Sequence, residues 1–176
     1  MWDSVGGTSI EQWMDKPALE QCGYANATNG THWWTVDYLK GLNIGTVLWY
    51  QGENNILANM HQSRFMYYRA CQEALIESWR SVLGYAPNAT AIPFTLAQIA
   101  PCALGPLCSA YNHGLAMPFL REAQAEAVHN IVKAGMAVTL DLGDVDSSTH
   151  GPQTHPSKHH GGKSATMPWK NACIWG

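Results

Sequence analysis

Charge is scarce in this sequence. Asp, Glu, Lys and Arg make up 13% of its 176 residues, about half of the roughly 25% found in ordinary soluble domains. Ten Lys and Arg against 13 Asp and Glu leave a net charge of −3. There is no Lys/Arg cluster, which excludes the basic footprint of a nucleic-acid binder. No apolar run approaches the roughly 18 residues that span a bilayer, so no membrane partner is expected. The first residues lack a basic stretch followed by an apolar one, and no secretory leader is visible. Cysteine is also sparse: Cys22, Cys71, Cys102, Cys108 and Cys173 are too few for a disulfide scaffold and contain no CxxC pair.

Some features point the other way. Asn26-Ala-Thr28, Asn29-Gly-Thr31 and Asn88-Ala-Thr90 are glycan-acceptor triplets, which arise by chance or serve in the secretory pathway. Cys102 and Cys108 flank a Gly-Pro turn and can close a small loop in an oxidising compartment. Secretory hints without a leader lead to the expectation that the natural protein starts upstream of Met1. Eight Trp, seven Tyr and seven Met supply core material, which argues against disorder. The length suits one domain, residues 1–176, burying roughly 70% of its unfolded surface.

Hydrophobic patterning predicts alternating elements. A helix is expected from Ile10 to Cys22. Val47-Leu48-Trp49-Tyr50 is a continuous apolar run ending at Gln51-Gly52-Glu53, the pattern of a buried strand entering a loop. From about Ile56 to Val82 the spacing predicts a helix, with Tyr68, Cys71, Leu75 and Trp79 on one stripe and Gly84 and Pro87 after its end. Ile92–Ile99 reads as a second strand, 100–117 as a loop, and Met117–Lys133 as a helix with Pro118 in its first turn. Met136–Leu140 reads as a third strand. The tail from Ser147 is polar and His-rich, with a helical hint only at Trp169–Trp175. Alternation of this kind predicts an α/β fold with a parallel sheet. Ligands then bind beyond the carboxyl ends of the strands.

Polar clusters fall at those ends. Gly6-Gly7-Thr8 is a turn whose N–H groups can face an anion or a developing oxyanion, or it is a plain turn. Gln51-Gly52-Glu53-Asn54-Asn55 offers uncharged N–H donors and a glycine that admits close approach, which suits an oxyanion hole. The alternative is an ordinary polar loop, with Glu53 holding loop N–H groups. His155 follows Asp141, Asp144 and Asp146, and a His beside a carboxylate can act as a general base. His150, His155, His159 and His160 also admit a metal site or a solvated tail, but their spacing matches no zinc pattern and no Cys joins them. No metal and no cofactor are expected.

Several segments, in order over roughly 150 residues, resemble one family. Ser4-Val5-Gly6-Gly7-Thr8-Ser9-Ile10-Glu11-Gln12-Trp13 resembles the S-x-GGT-x-IE-x-W segment of sialate O-acetylesterases. Residues 47–55 are similar to their WYQGESN segment, Leu120-Arg121-Glu122-Ala123-Gln124 to their LREAQ helix, Ala137–Asp144 to AVTxDLGD, and His155-Pro156 to their IHP turn. The resemblance implies an SGNH-hydrolase-like, three-layer α/β/α sandwich with a parallel sheet. It also implies a serine esterase that removes acetyl groups from sugar hydroxyls, with an acetylated sugar as its partner. In full-length members it implies a secreted or lysosomal location.

The same resemblance assigns His155 as catalytic base, and the near acids Asp146 or Asp144 are the expected partner. Gly6, Gly7, Gln51, Gly52, Glu53 and Asn54 become oxyanion or substrate contacts. Two departures stand out: Pro152, Gln153 and Thr154 replace the acid that the family usually has shortly before its His, and His159-His160-Gly161-Gly162 interrupts its following helix. The family's nucleophilic Ser lies in a GQSNM segment that these 176 residues do not contain. Ser4, after Asp3, is similar to the G-D-S block of other esterases, with Trp2 in place of Gly. The expectation is a weak or inactive esterase whose missing first, central strand leaves unpaired backbone groups and an apolar gap, so that the chain is marginally stable and aggregation-prone. A carbohydrate-binding remnant with Trp33, Trp34 and Trp49 lining its cleft is the alternative, and a His-dependent metal protein is a third.

Overall fold

The computed structural model describes residues 5–57, 67–84, 91–100, 116–140 and 173–175. Three short parallel strands form the sheet: β1 (Thr46–Trp49), β2 (Phe94–Ala97) and β3 (Ala134–Ala137). β4 (Cys173–Trp175) pairs antiparallel with the outer edge of β1, giving the order β3-β2-β1-β4. The helices in chain order are α1 (Lys16–Gln21), α2 (Trp33–Tyr38), α3 (Glu53–Leu57), α4 (Tyr68–Val82) and α5 (Ala116–Asn130). The α/β class and the parallel sheet are as the sequence pattern predicts.

The expected helix from Ile10 to Cys22 is two pieces. Ile10–Trp13 forms a 3-10 turn, and Met14 is extended. Asp15 then caps α1 by accepting from the Ala18 N–H at 3.0 Å. Pro17 explains the break, because it has no N–H to give the Trp13 carbonyl, and its ring opposes a continuous helix. The Trp13 carbonyl instead accepts from the Trp79 indole at 3.0 Å.

Val47, Trp49, Phe94 and Leu96 point to one face of the sheet and are buried. Thr46, Leu48, Thr95 and Ala97 point to the other and are half-buried. On the buried face the indoles of Trp49 and Trp79 meet edge to face at 5.4 Å and 84°. Trp13 meets Trp49 at 6.3 Å and 88°, a geometry that aligns ring edges with ring faces. The predicted stripe of α4 is the buried one: Tyr68, Cys71, Leu75 and Trp79 are each at most 1% exposed. Arg80 leaves the same helix and donates twice to the Ile92 carbonyl (3.1 and 2.8 Å) and once to Lys133 (3.3 Å). It thereby ties α4 to the starts of β2 and β3.

Four expectations need correction. The third strand begins at Ala134 rather than Met136 and ends at Ala137. Lys133, with φ +53, turns the chain straight from α5 into the sheet, and the Phe94 N–H takes the Lys133 carbonyl. Residues 173–175 are strand rather than helix. Their pairing with β1 gives partners to backbone groups on its outer edge that were expected to stand unpaired. Trp33 and Trp49 belong to the core, not to a cleft. Cys102 and Cys108 lie outside the described residues, and Cys22 and Cys71 form a disulfide that joins α1 to α4 across 49 residues of sequence.

A cross-link spanning that much chain restricts the unfolded state by about 2–4 kcal/mol. Reduction is expected to lower the denaturation midpoint accordingly, measured by urea unfolding with and without reductant. An unchanged midpoint would contradict a stabilising role for the pair.

Candidate active site

The Val5–Thr8 turn is clasped from within. The Thr8 hydroxyl donates to the Val5 carbonyl at 3.0 Å and accepts from the Trp13 indole at 2.9 Å. Gly7 has φ +73, a left-handed conformation that glycine adopts without a Cβ penalty. Gly6 and Gly7 are exposed. No hydrogen bond among the described residues uses either N–H.

The chain leaves β1 through Tyr50, Gln51 and Gly52. Gln51 is 1% exposed, and its side chain is fully engaged. Its Nε2 donates to the Thr8 carbonyl at 2.9 Å and to Asn55 Oδ1 at 2.7 Å. The Tyr68 hydroxyl lies 2.9 Å from Gln51 Oε1 and 3.0 Å from the Gln51 carbonyl. That carbonyl also accepts from Gln124 Nε2 of α5 at 3.0 Å, while Gln124 Oε1 accepts from the Ile99 N–H at 2.9 Å. Asn55 extends the web: its Oδ1 accepts from the Ile10 N–H at 2.9 Å, and its Nδ2 donates to both Glu11 oxygens (3.1 and 3.0 Å). The Tyr24 hydroxyl completes the grip on Glu11.

This arrangement corrects one expectation. Both amide hydrogens of Gln51 are held by Thr8 and Asn55, so Gln51 has none left for an oxyanion. Its bond to the Thr8 carbonyl holds the Gly6-Gly7 turn. At Gly52, expected to admit a substrate to the backbone, the close approach seen is that of Leu120 and Ile99. At φ +151 an added Cβ would sit 2.5 Å from Leu120 Cδ2 and 3.0 Å from Ile99 Cδ1, so α5 packs directly on the backbone there.

Glu53 opens α3 rather than lying in a loop, and Asn54, half-buried, follows in the same helix. Glu53 Oε1 is enclosed without a hydrogen-bond partner among the described residues. Burial pushes the Glu53 carboxyl above the usual carboxylate range. Its own backbone N–H and the Tyr50 hydroxyl pull the other way. Tyr50 is itself pushed well up, first by burial and then by the Glu53 charge. Arg121, whose guanidinium burial disfavours, donates to the Ile99 carbonyl and to Gln98 Oε1, and Gln98 Nε2 donates back to the Arg121 carbonyl at 2.9 Å. The carboxyl ends of β1 and β2 are thus closed by α5.

Gly6 and Gly7 therefore belong to a turn bonded, through Thr8, to the segment after β1 that holds Gln51 and Gly52 and runs into Glu53 and Asn54 at the start of α3. Ser4, Asp141, Asp144, Asp146, His155 and the other tail histidines lie outside the described residues. Among the described residues no group of three or more potential metal ligands occurs, and no helix is long and apolar enough to cross a membrane. Thr8, Glu11, Tyr68 and Gln124 escaped the sequence reading as site residues. One signal was available for Gln124: it is a polar residue on the buried stripe of α5 with Leu120 and Ala127.

Against known proteins, residues 2–167 match the family model of carbohydrate esterases described as sialic acid-specific acetylesterases. Among solved structures the chain is similar to a carbohydrate acetylesterase from Xanthomonas citri, at 26% identity and a TM-score of 0.55. The match covers 86% of this chain and 31% of that one, so the chain spans about a third of that protein's length. No curated relative matches.

The buried carboxyl sets a pH dependence. A folded pKa above the unfolded value of about 4.3 means that Glu53 binds its proton more tightly when folded. Its stabilising contribution is then full below pH about 4 and is lost as pH rises through the folded value. Glu53→Gln, neutral throughout, is expected to melt higher than the unsubstituted chain at pH 8 and to lose that advantage at pH 4. Each 1 kcal/mol corresponds to about 2–4 °C for a chain of this size. Melting curves across pH check this, and a pH-independent difference would contradict it.

Proposed function

The chain belongs to the carbohydrate esterase family of sialic acid-specific acetylesterases, and from that premise we propose that it forms part of a site that removes O-acetyl groups from sialic acid or related sugars. The observation that carries this reading is the 2.9 Å bond from Gln51 Nε2 to the Thr8 carbonyl. It holds the Gly6-Gly7 turn, whose N–H groups no hydrogen bond among the described residues uses, beside the carboxyl end of β1. Two adjacent N–H groups on a fixed turn are the donors that a tetrahedral acyl intermediate requires.

In the complete reaction a Ser hydroxyl attacks the acetyl carbonyl and its proton passes to an imidazole. The carbonyl oxygen takes negative charge against the Gly6 and Gly7 N–H groups. Collapse expels the sugar alkoxide, which the imidazolium protonates. Water then repeats the sequence on the acetyl-enzyme and releases acetate. We assign His155 as the base, with Asp146 or Asp144 orienting it. Gly52 admits α5, and Gln51 and Asn55 fix the turn. The GQSNM nucleophile is not in these 176 residues, so the chain alone is proposed to turn over slowly or not at all. An oxyanion hole and binding by themselves leave about 10³–10⁴-fold acceleration in a serine hydrolase, against roughly a millionfold lost with the nucleophile.

Secreted or lysosomal location is part of the same proposal. The Cys22–Cys71 disulfide supports it, because such pairs persist in oxidising compartments. Asn26 and Thr28 of the first acceptor triplet are exposed, which supports the protein being a glycoprotein.

Acetate release from an O-acetylated sialic acid and from a chromogenic acetate tests the reading. Slow release by the 176-residue chain, lowered further by His155→Ala, is expected. Robust turnover abolished by Ser4→Ala would overturn the placement of the nucleophile. Release indifferent to His155→Ala would overturn the assigned base.

A further inference from the structure

The cations of this chain differ in what answers their charge. Among the described residues Arg69 pairs with Glu73 and Glu126, Lys16 with Glu20, and Lys40 with Asp37. Arg80 holds the Ile92 and Lys133 carbonyls, at the amino ends of β2 and β3. Arg121 has no acid among the described residues. Its guanidinium donates to two uncharged oxygens, the Ile99 carbonyl and Gln98 Oε1 (2.5 Å). Of the titratable groups, Tyr50 bears on it, and burial pushes that phenol up, so it stays uncharged. A half-buried cation without a counter-charge is costly to keep.

Its place is where an open α/β sheet takes ligands. Gln98 and Ile99 follow β2 directly, and β2 pairs with β1, one strand spacing or about 4.8 Å away. Gln124, one turn after Arg121 on α5, bonds both the Gln51 carbonyl (3.0 Å) and the Ile99 N–H (2.9 Å). Arg121 thus joins the web that holds the Gly6-Gly7 turn. Its aim is fixed as well. Gln98 Nε2 donates to the Arg121 carbonyl at 2.9 Å, and the Gln98 carbonyl accepts from the Thr139 hydroxyl at 2.5 Å. The Gln98 N–H donates to the Ala137 carbonyl at 2.9 Å. A guanidinium carries five N–H donors in a planar fork. Two bonds leave three donors unused among the described residues, and such a fork matches a carboxylate bidentately.

We propose that Arg121 is an anion subsite of the candidate active site, where its remaining N–H donors take the carboxylate of an acidic sugar whose acetyl ester lies toward the Gly6-Gly7 turn. This rests on the carbohydrate-esterase reading and adds to it a preference for sugars that carry a carboxylate over neutral ones. Sialic acid is one such sugar and a hexuronic acid is another. The carboxylate they share is the group that Arg121 recognises.

The test uses the full 176-residue chain. Binding of N-acetylneuraminic acid and of glucuronic acid, each against its own methyl ester, is measured by NMR titration. Acetate release from 4-nitrophenyl acetate, which has no carboxylate, is followed in parallel. The acid is expected to bind about tenfold more tightly than its ester, equivalent to about 1.4 kcal/mol. Arg121→Gln is expected to abolish that preference, Arg121→Lys to keep part of it, and Arg69→Gln to keep all of it. Arg121 also ties α5 to the end of β2, so Arg121→Gln is checked for folding by its melting curve. If it does not fold, the acid–ester comparison in the unsubstituted chain and in Arg121→Lys decides. A preference for N-acetylneuraminic acid alone supports a sialate subsite, one for glucuronic acid alone a uronate subsite, and one for both a general sugar-carboxylate subsite. Equal binding of acid and ester by the unsubstituted chain, or binding of neither, would overturn the subsite, as would a preference that survives in folded Arg121→Gln. The 4-nitrophenyl acetate arm reports separately on the esterase reading, which stands if acetate is released without any acid preference.

Discussion

The amide of Gln51 joins parts of the chain that sequence keeps far apart. Its nitrogen holds Thr8 and Asn55, its oxygen faces Tyr68, and its backbone carbonyl accepts from Gln124. Residues 8, 51, 55, 68 and 124 lie on a turn, a strand end and three different helices. A buried polar group left unpaired costs about 1–3 kcal/mol, so each partner constrains the others, and such webs fix one geometry among competing ones. The Gly6-Gly7 turn is exposed, and Gly7 has nothing around it within 4 Å of a would-be Cβ. Its position depends on this web rather than on packing of its own.

The aromatic cluster supplies the platform for the web. Trp13 is both a core ring and the donor to Thr8, and its carbonyl takes the Trp79 indole because Pro17 cannot use it. The same residues thus connect the hydrophobic core to the candidate site without an intervening loop. Gly52 completes the connection from the other side, where only the absence of a Cβ lets Leu120 and Ile99 approach. Core, strand end and turn form one mechanical unit, which is what an oxyanion site needs if its donors are to be fixed before charge develops.

Continuous or periodic apolar patterns were legible in the sequence. The run Val47–Tyr50, the α4 stripe and the helix beginning near Met117 all stand in the structure. The breaks were less so. Asp15 and Pro17 interrupt an apolar pattern that reads as one helix, because a cap and a missing N–H act locally while periodicity averages over them. β3 starts two residues early because the left-handed Lys133 turns the chain sooner than the apolar run suggests. Residues 173–175 join the sheet through long-range pairing with β1, which local propensity does not register. At the site, the two loops were visible as motifs, but the role of Gln51 was not. A glutamine after a strand looks the same whether its amide faces a substrate or a neighbouring backbone, and only the partners at 2.9 and 2.7 Å distinguish the two.

The central claim is that Gln51 couples the turn, the strand end and the helices around it. A double-mutant cycle tests it most directly: Asn55→Ala, Gln124→Ala and the pair, each unfolded in urea. The two side chains sit on different helices, and each bonds to Gln51. The account predicts a coupling of about 0.5–3 kcal/mol, the range for residues sharing one hydrogen-bond network. Additivity within about 0.3–0.5 kcal/mol, the behaviour of independent sites, would contradict it.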